Sequence, residues 1–344
     1  MNTSFDYTRI EIPALDTEAM NVCRKRIDNL CKPIYSLAQL EVMAERLAGI
    51  TGMHKPNHLR SGLVIFAADH EVNGNAVTME ESDCSYAELM RMAAGNSATD
   101  AVARKLQASV TLVDMGLMHS TNNLQNIRHF DRLMDMSDTD TSHFSTIERV
   151  QASIQVGYEL AKEMSAEGIH IVGIGNIGAG ALSVADAITN MMVANYNDKN
   201  STNYDGTPNS EALFASLGEY HAYDIAAMVG FVLGAAEARM AIVIDNIVTG
   251  VAAMIASTLQ VGVKEYVFAS AVYTTDTHRA QMDYLGLRSY LYYDFTIASG
   301  LGSAMGISLL DASLHMLNDM KTFTEAAVAV AEDGPGNGVQ ILEK

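Results

Sequence analysis

Short unbroken apolar runs alternate along this chain with longer stretches in which apolar residues recur every three or four positions. The runs are "GLVIFAADH" (62–70), "SVTLVDMG" (109–116), "GIHIVGIG" (168–175), "MAIVIDNI" (240–247) and "EYVFAS" (265–270). Each has the length and composition of a strand covered on both faces in a parallel sheet, and most close on a small or acidic residue. Helical spacing fills 85–106, 147–166 and 222–238 between them. It also precedes them over 15–50, where Leu37, Leu40, Met43 and Leu47 form one stripe and Pro33 is a break. Strand and helix in alternation predict an α/β fold, a Rossmann-like parallel sheet with helices over its faces. The segment 302–331, rich in Ala, Met and Leu, predicts further helix. With the N-terminal helices it is expected to form a small helical domain (1–55 and 305–344) beside an α/β domain (56–304). Residues 194–212, "ANYNDKNSTNYDGTPNSEA", are the one long polar stretch and read as a loop.

Composition narrows the function classes. Hydrophobic residues make up 49% of 344, enough for a sizeable core. Lys and Arg number 22 against 41 Asp and Glu, a net charge of −19. That balance argues against nucleic acid, which requires a basic surface, and against an anionic membrane face. The apolar runs are interrupted by Asp224, Glu237, Asp245 and Asn246, so no membrane-spanning helix is expected. Cys23, Cys31 and Cys84 are odd in number and form no C-x-x-C pair. Reduced thiols, a cytoplasmic location, no metal site and no cofactor are the expectations. The start, "MNTSFDYTRIEIP", has no basic segment followed by an apolar one, the mark of a secretory leader.

In open parallel sheets ligands bind beyond the carboxyl ends of the strands. The sequence places Asp69-His70, Asp114, Gly173–Gly180, Asp245 and Ser270 at those ends. The richest is "HIVGIGNIGAGALSV" (170–184), where "GIGNIG" fits G-x-G-x-x-G literally. Two readings are open: backbone N–H groups cradling an anion, or a tight strand-to-helix turn that needs small residues for packing. The run follows a later strand instead of the first, and no acidic residue closes a second strand about 20 residues on, as a dinucleotide fingerprint requires. There is no G-K-[ST] of a phosphate-binding Walker loop.

Seven segments in order carry more. "VIFAADHEV", "VTLVDMGL", "GIGNIGAGAL", "DIAAMVGFVLGAA", "AIVIDNIV", "THRAQMDYLGL" and "MKTFTEAAV" together resemble the nicotinate-nucleotide:dimethylbenzimidazole phosphoribosyltransferase family, from about Leu37 to Val328. The resemblance implies a parallel α/β domain with a small helical domain, commonly dimeric. It implies transfer of ribose 5-phosphate from nicotinate mononucleotide to an aromatic base, with inversion at C1, to make the α-ribotide lower ligand of cobamides.

The departures from the family pattern fall together. Gly173, Ile177 and Gly178 match the family's G-E-M-G-I-G-N-T-T, but Ile174 stands where its glutamate belongs. Ala179, Gly180 and Ala181 replace its asparagine and two threonines. In "TIASGLGS", Gly300 and Gly302 match while Ser299 takes the place of the catalytic glutamate and Thr296 that of an arginine. Ser270 and His278 match a further segment, in which Ala271 replaces a histidine and Thr275 a glutamate. "HAYDI" (221–225) stands for the family's G-G-F-E-I, and only Lys199 lies near its phosphate-region lysine.

The chemistry needs a carboxylate. As the bond to C1 forms, the acceptor's proton must leave and positive charge develops on the ribosyl centre. Neither Ser299 nor Ile174 supplies a base; His70, Asp69, Asp245 and Asp224 are the possible substitutes, with structural alternatives for His70 as a histidine at a strand end and for Asp69 and Asp245 as loop anchors or helix caps. The expectation is thus no catalytic residue and a degenerate pocket of Asp69, His70, Gly173, Gly175, Asn176, Ile177, Gly178, Asp245, Ser270, Ser299 and Gly300. The family contains heterodimeric enzymes acting on phenol or p-cresol, and this chain resembles the divergent partner in such a pair. The expected role is a non-catalytic subunit, a pseudoenzyme supporting a catalytic paralogue. The alternatives are an independently active transferase with another base, as a homodimer, and a small-ligand binding or regulatory protein.

Overall fold

The computed structural model describes residues 5–72, 75–76, 78–130, 146–197, 210–293 and 299–328. Two compact units emerge: 1–13 with 60–307, and 14–59 with 308–344. The sequence divided the chain at 55/56 and 304/305. Residues up to Pro13 group with the larger unit because the carbonyl of Pro13 accepts the hydroxyl of buried Tyr266 at 2.7 Å. Ile12 packs on Gly262 beside it.

The larger unit is built on a six-stranded, all-parallel sheet. Its strands are β1 (Ser61–Ala68), β4 (Ser109–Gly116), β5 (Ile127–His129), β6 (Ile171–Ile177), β7 (Ala241–Ile244) and β8 (Val267–Ala269). A two-residue antiparallel hairpin, β2 (Glu71–Val72) and β3 (Asn75–Ala76), follows β1. The sheet order is β5-β4-β1-β6-β7-β8. The chain winds outward from β1 through β4 to β5, then returns to the other side of β1 with β6. The switch point therefore lies between β1 and β6, where sheets of this kind place their ligands. Every residue of β1 and β6 is buried, as expected of central strands covered on both faces.

The helices come from the predicted stretches with sharper limits. The stretch 85–106 is two helices, α3 (Met79–Ala93) and α4 (Ala98–Leu106). Each starts on a capping box, Thr78 with Glu81 and Ser97 with Asp100, and Gly95 at φ +69° turns the chain between them. There follow α5 (Thr146–Ala166), α6 (Ala181–Asn197), α7 (Ser210–Glu219), α8 (Tyr223–Glu237), α9 (Ile247–Leu259), α10 (Asp276–Leu285) and α11 (Leu301–Asp319). Helix α8 is buried from Tyr223 to Ala236, which suits a segment apolar on every side. It lies over the sheet and is covered in turn by α5. Helix α11 ends at Asp319, earlier than the expected 331, and a turn takes over at Phe323. Of the expected loop 194–212, α6 takes the first residues and α7 begins at Ser210; 198–209 lie outside the described residues.

In the smaller unit α1 (Thr17–Asp28) and α2 (Gln39–Thr51) pack together. Asp16 caps α1 by accepting the N–H of Ala19. Ala19, Cys23, Ile27, Leu30, Ala44, Ala48, Met316 and Leu317 form the core there. Beside it Glu41 is buried between Lys32, at 2.9 Å, and Arg24, at 3.3 Å.

Candidate active site

The glycine run is not a loop. Gly173 and Gly175 lie inside β6, which continues to Ile177. Alternate residues of a strand face the same way, and the face that carries 173 and 175 is where α11 packs. A Cβ at Gly173 would meet Leu63, Ser303 and Ile307, and one at Gly175 would come 2.5 Å from the Cα and N of Gly300. Ile174 is wholly buried, and its carbonyl accepts the Ser303 hydroxyl at 2.6 Å. Just past the strand, a Cβ on Gly178 would overlap the carbonyl oxygen of Ala68 at the end of β1. All three glycines are closely packed, and Gly173 and Gly175 sit within the strand and not in the strand-to-helix turn where the sequence placed them.

At the switch point β1 and β6 are stitched together beyond their ends. The His70 N–H donates to the Ala179 carbonyl at 3.0 Å, and the Ala179 N–H donates to Asp69 Oδ1 at 3.0 Å. Asp69 Oδ2 accepts from the Ser82 hydroxyl at 2.7 Å and the Met118 N–H at 3.0 Å. Asp69 is thus a loop anchor. The His70 side chain is buried and its Nε2 lies 3.2 Å from Asp224 Oδ1, at the start of α8. Its Nδ1 has no hydrogen-bond partner among the described residues.

A second cluster forms where β6, β7 and β8 meet the start of α11. Asp245, just past β7, is buried and accepts the Gly300 N–H at 3.0 Å and the Tyr273 hydroxyl at 3.3 Å. Burial pushes its carboxyl up to about 7, against the opposing pull of donors from Gly300, Tyr273, Gly302 and Ser303. Its carboxylate sits at the N-terminus of α11, where the helix exposes N–H groups and favours negative charge. The Ser270 hydroxyl donates to the Asp245 carbonyl at 3.3 Å. Asn176 accepts from Asn246 at 2.9 Å, and Asn246 in turn caps α9. The ring of His278 lies edge-on to Tyr273, centroids 5.3 Å apart, and burial pushes it down to about 4. Thr275 caps α10 by accepting from the His278 N–H, and Ala271 is fully buried. Thr296 and Lys199 lie outside the described residues.

Two residues that the sequence reading passed over hold the Ser299–Gly300 turn. Thr99, on α4, donates its hydroxyl to the Ser299 carbonyl at 2.8 Å. Glu88, on α3, accepts the Ser299 hydroxyl at 2.9 Å, and its other carboxylate oxygen pairs with Arg91. No local signal marks either one. Glu88 has the look of an ordinary helix-surface charge, and it meets Ser299 across 211 positions of chain.

Taken together, the strand-end backbone donors face the protein's own carboxylates. Asp69 receives Met118 and Ala179, Asp114 receives Gly116 and Leu117, and Asp245 receives Gly300. A phosphate approaching this edge would find those N–H groups already occupied. Among the described residues no group of three or more His, Cys, Asp or Glu is placed to hold a metal ion, and no helix is long and apolar enough to cross a membrane.

A phosphoribosyltransferase family model matches residues 12–212 and 198–328. The nicotinate-nucleotide–dimethylbenzimidazole phosphoribosyltransferase of Chloroflexus aggregans is 29% identical over 340 residues, covering 92% of this chain and 96% of its own. That of Roseiflexus castenholzii is 28% identical over 349 residues, covering 95% and 98%. The crystal structure of the enzyme of that name from Thermus thermophilus superposes with a TM-score of 0.77 at 24% identity, over 92% of this chain and all of that one. At that identity the likeness establishes the fold.

Proposed function

This chain belongs to the phosphoribosyltransferase family, and we propose that it works in the transfer of ribose 5-phosphate from nicotinate mononucleotide to an aromatic acceptor, giving the α-ribotide used as the lower ligand of cobamides. In that reaction a ring nitrogen or phenolic oxygen attacks C1 of the ribose. The C1–N bond to nicotinate breaks and its electron pair leaves with the nicotinate ring. The acceptor's proton passes to a base. Such a base is worth about 10²–10⁴-fold in rate.

In our reading this chain is the non-catalytic subunit of a heterodimer and supports a paralogue that keeps both glutamates. One observation carries it. Neither position that the family fills with glutamate offers a carboxylate: Ile174 is buried inside β6, and the Ser299 hydroxyl is committed to Glu88. Asp69 and Asp245, two of the substitutes offered by the sequence, are engaged by backbone donors, and Glu88, the carboxylate beside Ser299, is paired with Arg91. The acceptor class in this reading is a phenol, p-cresol or a benzimidazole.

The test is to purify the chain alone and together with the candidate paralogue, and to assay α-ribotide formation from nicotinate mononucleotide with each acceptor. Product from the pair and none from the single chain is the expected result. Turnover by the single chain would return the chemistry to its own pocket.

A further inference from the structure

The turn Ser299–Gly300 is fixed from four sides. Glu88 takes its hydroxyl, Thr99 donates to its carbonyl, Asp245 takes the next N–H, and Gly175 presses against the Gly300 backbone. Gly300 holds φ +80°, a conformation that other residues rarely adopt, and a Cβ there would run into Ile65. Of the four holds, three come from elements that build the sheet edge or cover it as structural parts of the core. Glu88 differs. Its side chain is 18% exposed, so it reaches the turn from the solvent side. Arg91, its ion-pair partner, is 60% exposed and donates from Nε and Nη2 to the carboxylate oxygen that Ser299 leaves free. The bond from Ser299 to a carboxylate is charge-assisted and stronger than one between neutral groups. Beyond it lie Asp69, which receives the N–H groups of Met118 and Ala179, Asp114, which receives that of Gly116, and Asp245, which receives that of Gly300. An anionic nucleotide entering here would displace the turn and meet the Glu88 carboxylate, with the backbone donors behind it already taken.

We infer that Glu88 keeps this chain's own pocket shut to nucleotide, latching the Ser299–Gly300 turn through the Ser299 hydroxyl and setting a negative charge at the mouth. This deepens the reading of the chain as a non-catalytic subunit and rests on it.

Two variants of the isolated chain separate the latch from the charge. Glu88→Ala removes both; Glu88→Gln removes the charge and leaves an amide oxygen to accept from Ser299. Hydrogen exchange at the Gly300 amide reads opening of the turn, and calorimetric titration with nicotinate mononucleotide reads access. In Glu88→Ala the Gly300 amide exchanges about tenfold faster, the loss expected for a hydrogen bond to a charged group, and the nucleotide binds at least about tenfold more tightly than to the unaltered chain. Glu88→Gln gains nucleotide affinity with little change in exchange. Unchanged affinity in both variants, or unchanged Gly300 exchange in Glu88→Ala, overturns the inference while the subunit reading stands. Should Glu88→Ala fail to fold, nucleotide affinity of Glu88→Gln decides alone. Micromolar binding or turnover by the unaltered chain would instead overturn the subunit reading itself.

Discussion

The Gly300 amide donates to Oδ2 of Asp245 at 3.0 Å, so a buried carboxylate closes the N-terminus of α11 from the end of β7. This contact has a pH signature. Burial raises the Asp245 carboxyl to about 7 from an ordinary value of 3.8. The folded chain therefore binds a proton that the unfolded chain has released between those two values. Stability from this group is full below about 3.8, falls as pH rises toward 7 and is level above it. Asp245→Asn, which still presents an oxygen to Gly300, should flatten that fall. Denaturation midpoints of the two proteins from pH 4 to 8 would measure it; parallel curves would show that Asp245 does not titrate in this window.

Packing glycines respond to substitution without any ligand. Gly178→Ala forces a methyl group against the Ala68 carbonyl, and Gly175→Ala forces one onto the Gly300 backbone. Overpacking of this kind costs about 1–3 kcal/mol or more. Both variants should melt at lower temperature in plain buffer, with Gly178→Ala the worse because its Cβ would come to 1.8 Å from backbone, against 2.5 Å for Gly175→Ala. A Tm equal to that of the unaltered chain would mean open space at these positions and would revive the anion-cradle reading.

The buried His70–Asp224 pair joins the end of β1 to the start of α8. Removing His70 leaves Asp224 buried with the Ile225 N–H as its remaining donor, and removing Asp224 leaves the buried His70 ring without a partner among the described residues, a loss of about 1–3 kcal/mol for each group so stranded. His70→Ala, Asp224→Ala and the double variant form a cycle. Each single change should cost nearly as much as both together, and urea titrations would give the coupling. Additive losses would show that the two side chains act separately.

Lys32 and Glu41 sit almost wholly inside the helical unit, 2.9 Å apart. Lys32→Met should strand the Glu41 carboxylate, with Arg24 as its remaining cation, and destabilise the chain by about 3–5 kcal/mol. Lys32→Met with Glu41→Leu, which removes both charges, should recover much of the loss. Chemical denaturation would detect the recovery, and its absence would rule out the pair as the source of the loss.

In solution assays the single chain should form α-ribotide at less than about a hundredth of the rate of the complex with its glutamate-bearing paralogue, the low end of what a general base contributes. Product analysis with phenol, p-cresol and dimethylbenzimidazole provides the measurement. Equal rates with and without the paralogue would contradict the subunit role.

Much of the architecture was legible from local pattern. The run 109–116 is β4 to the residue, and the apolar continuity of β1 and β6 marked central strands buried on both sides. Side-chain period and apolar run length are written in neighbouring residues, so sequence alone marks β1, β4, β6, β7 and β8, the parallel sheet, and the place of Asp69, Asp114, Asp245 and Ser270 at the strand ends; the three-residue β5 and the β2–β3 hairpin, too short to show a run, come only from the structure. Sequence also showed which family positions had changed, at Ile174 and Ser299. It could not say what surrounds the glycines: whether Gly175 faces a ligand or a backbone depends on where Gly300 arrives, from a distant part of the chain. Nor could it single out Glu88, whose place in a helix looks like any solvated charge until Ser299 is brought beside it. Those outcomes belong to the tertiary structure because they are contacts between distant segments, fixed by how the helices close over the sheet and not by the period of any one of them.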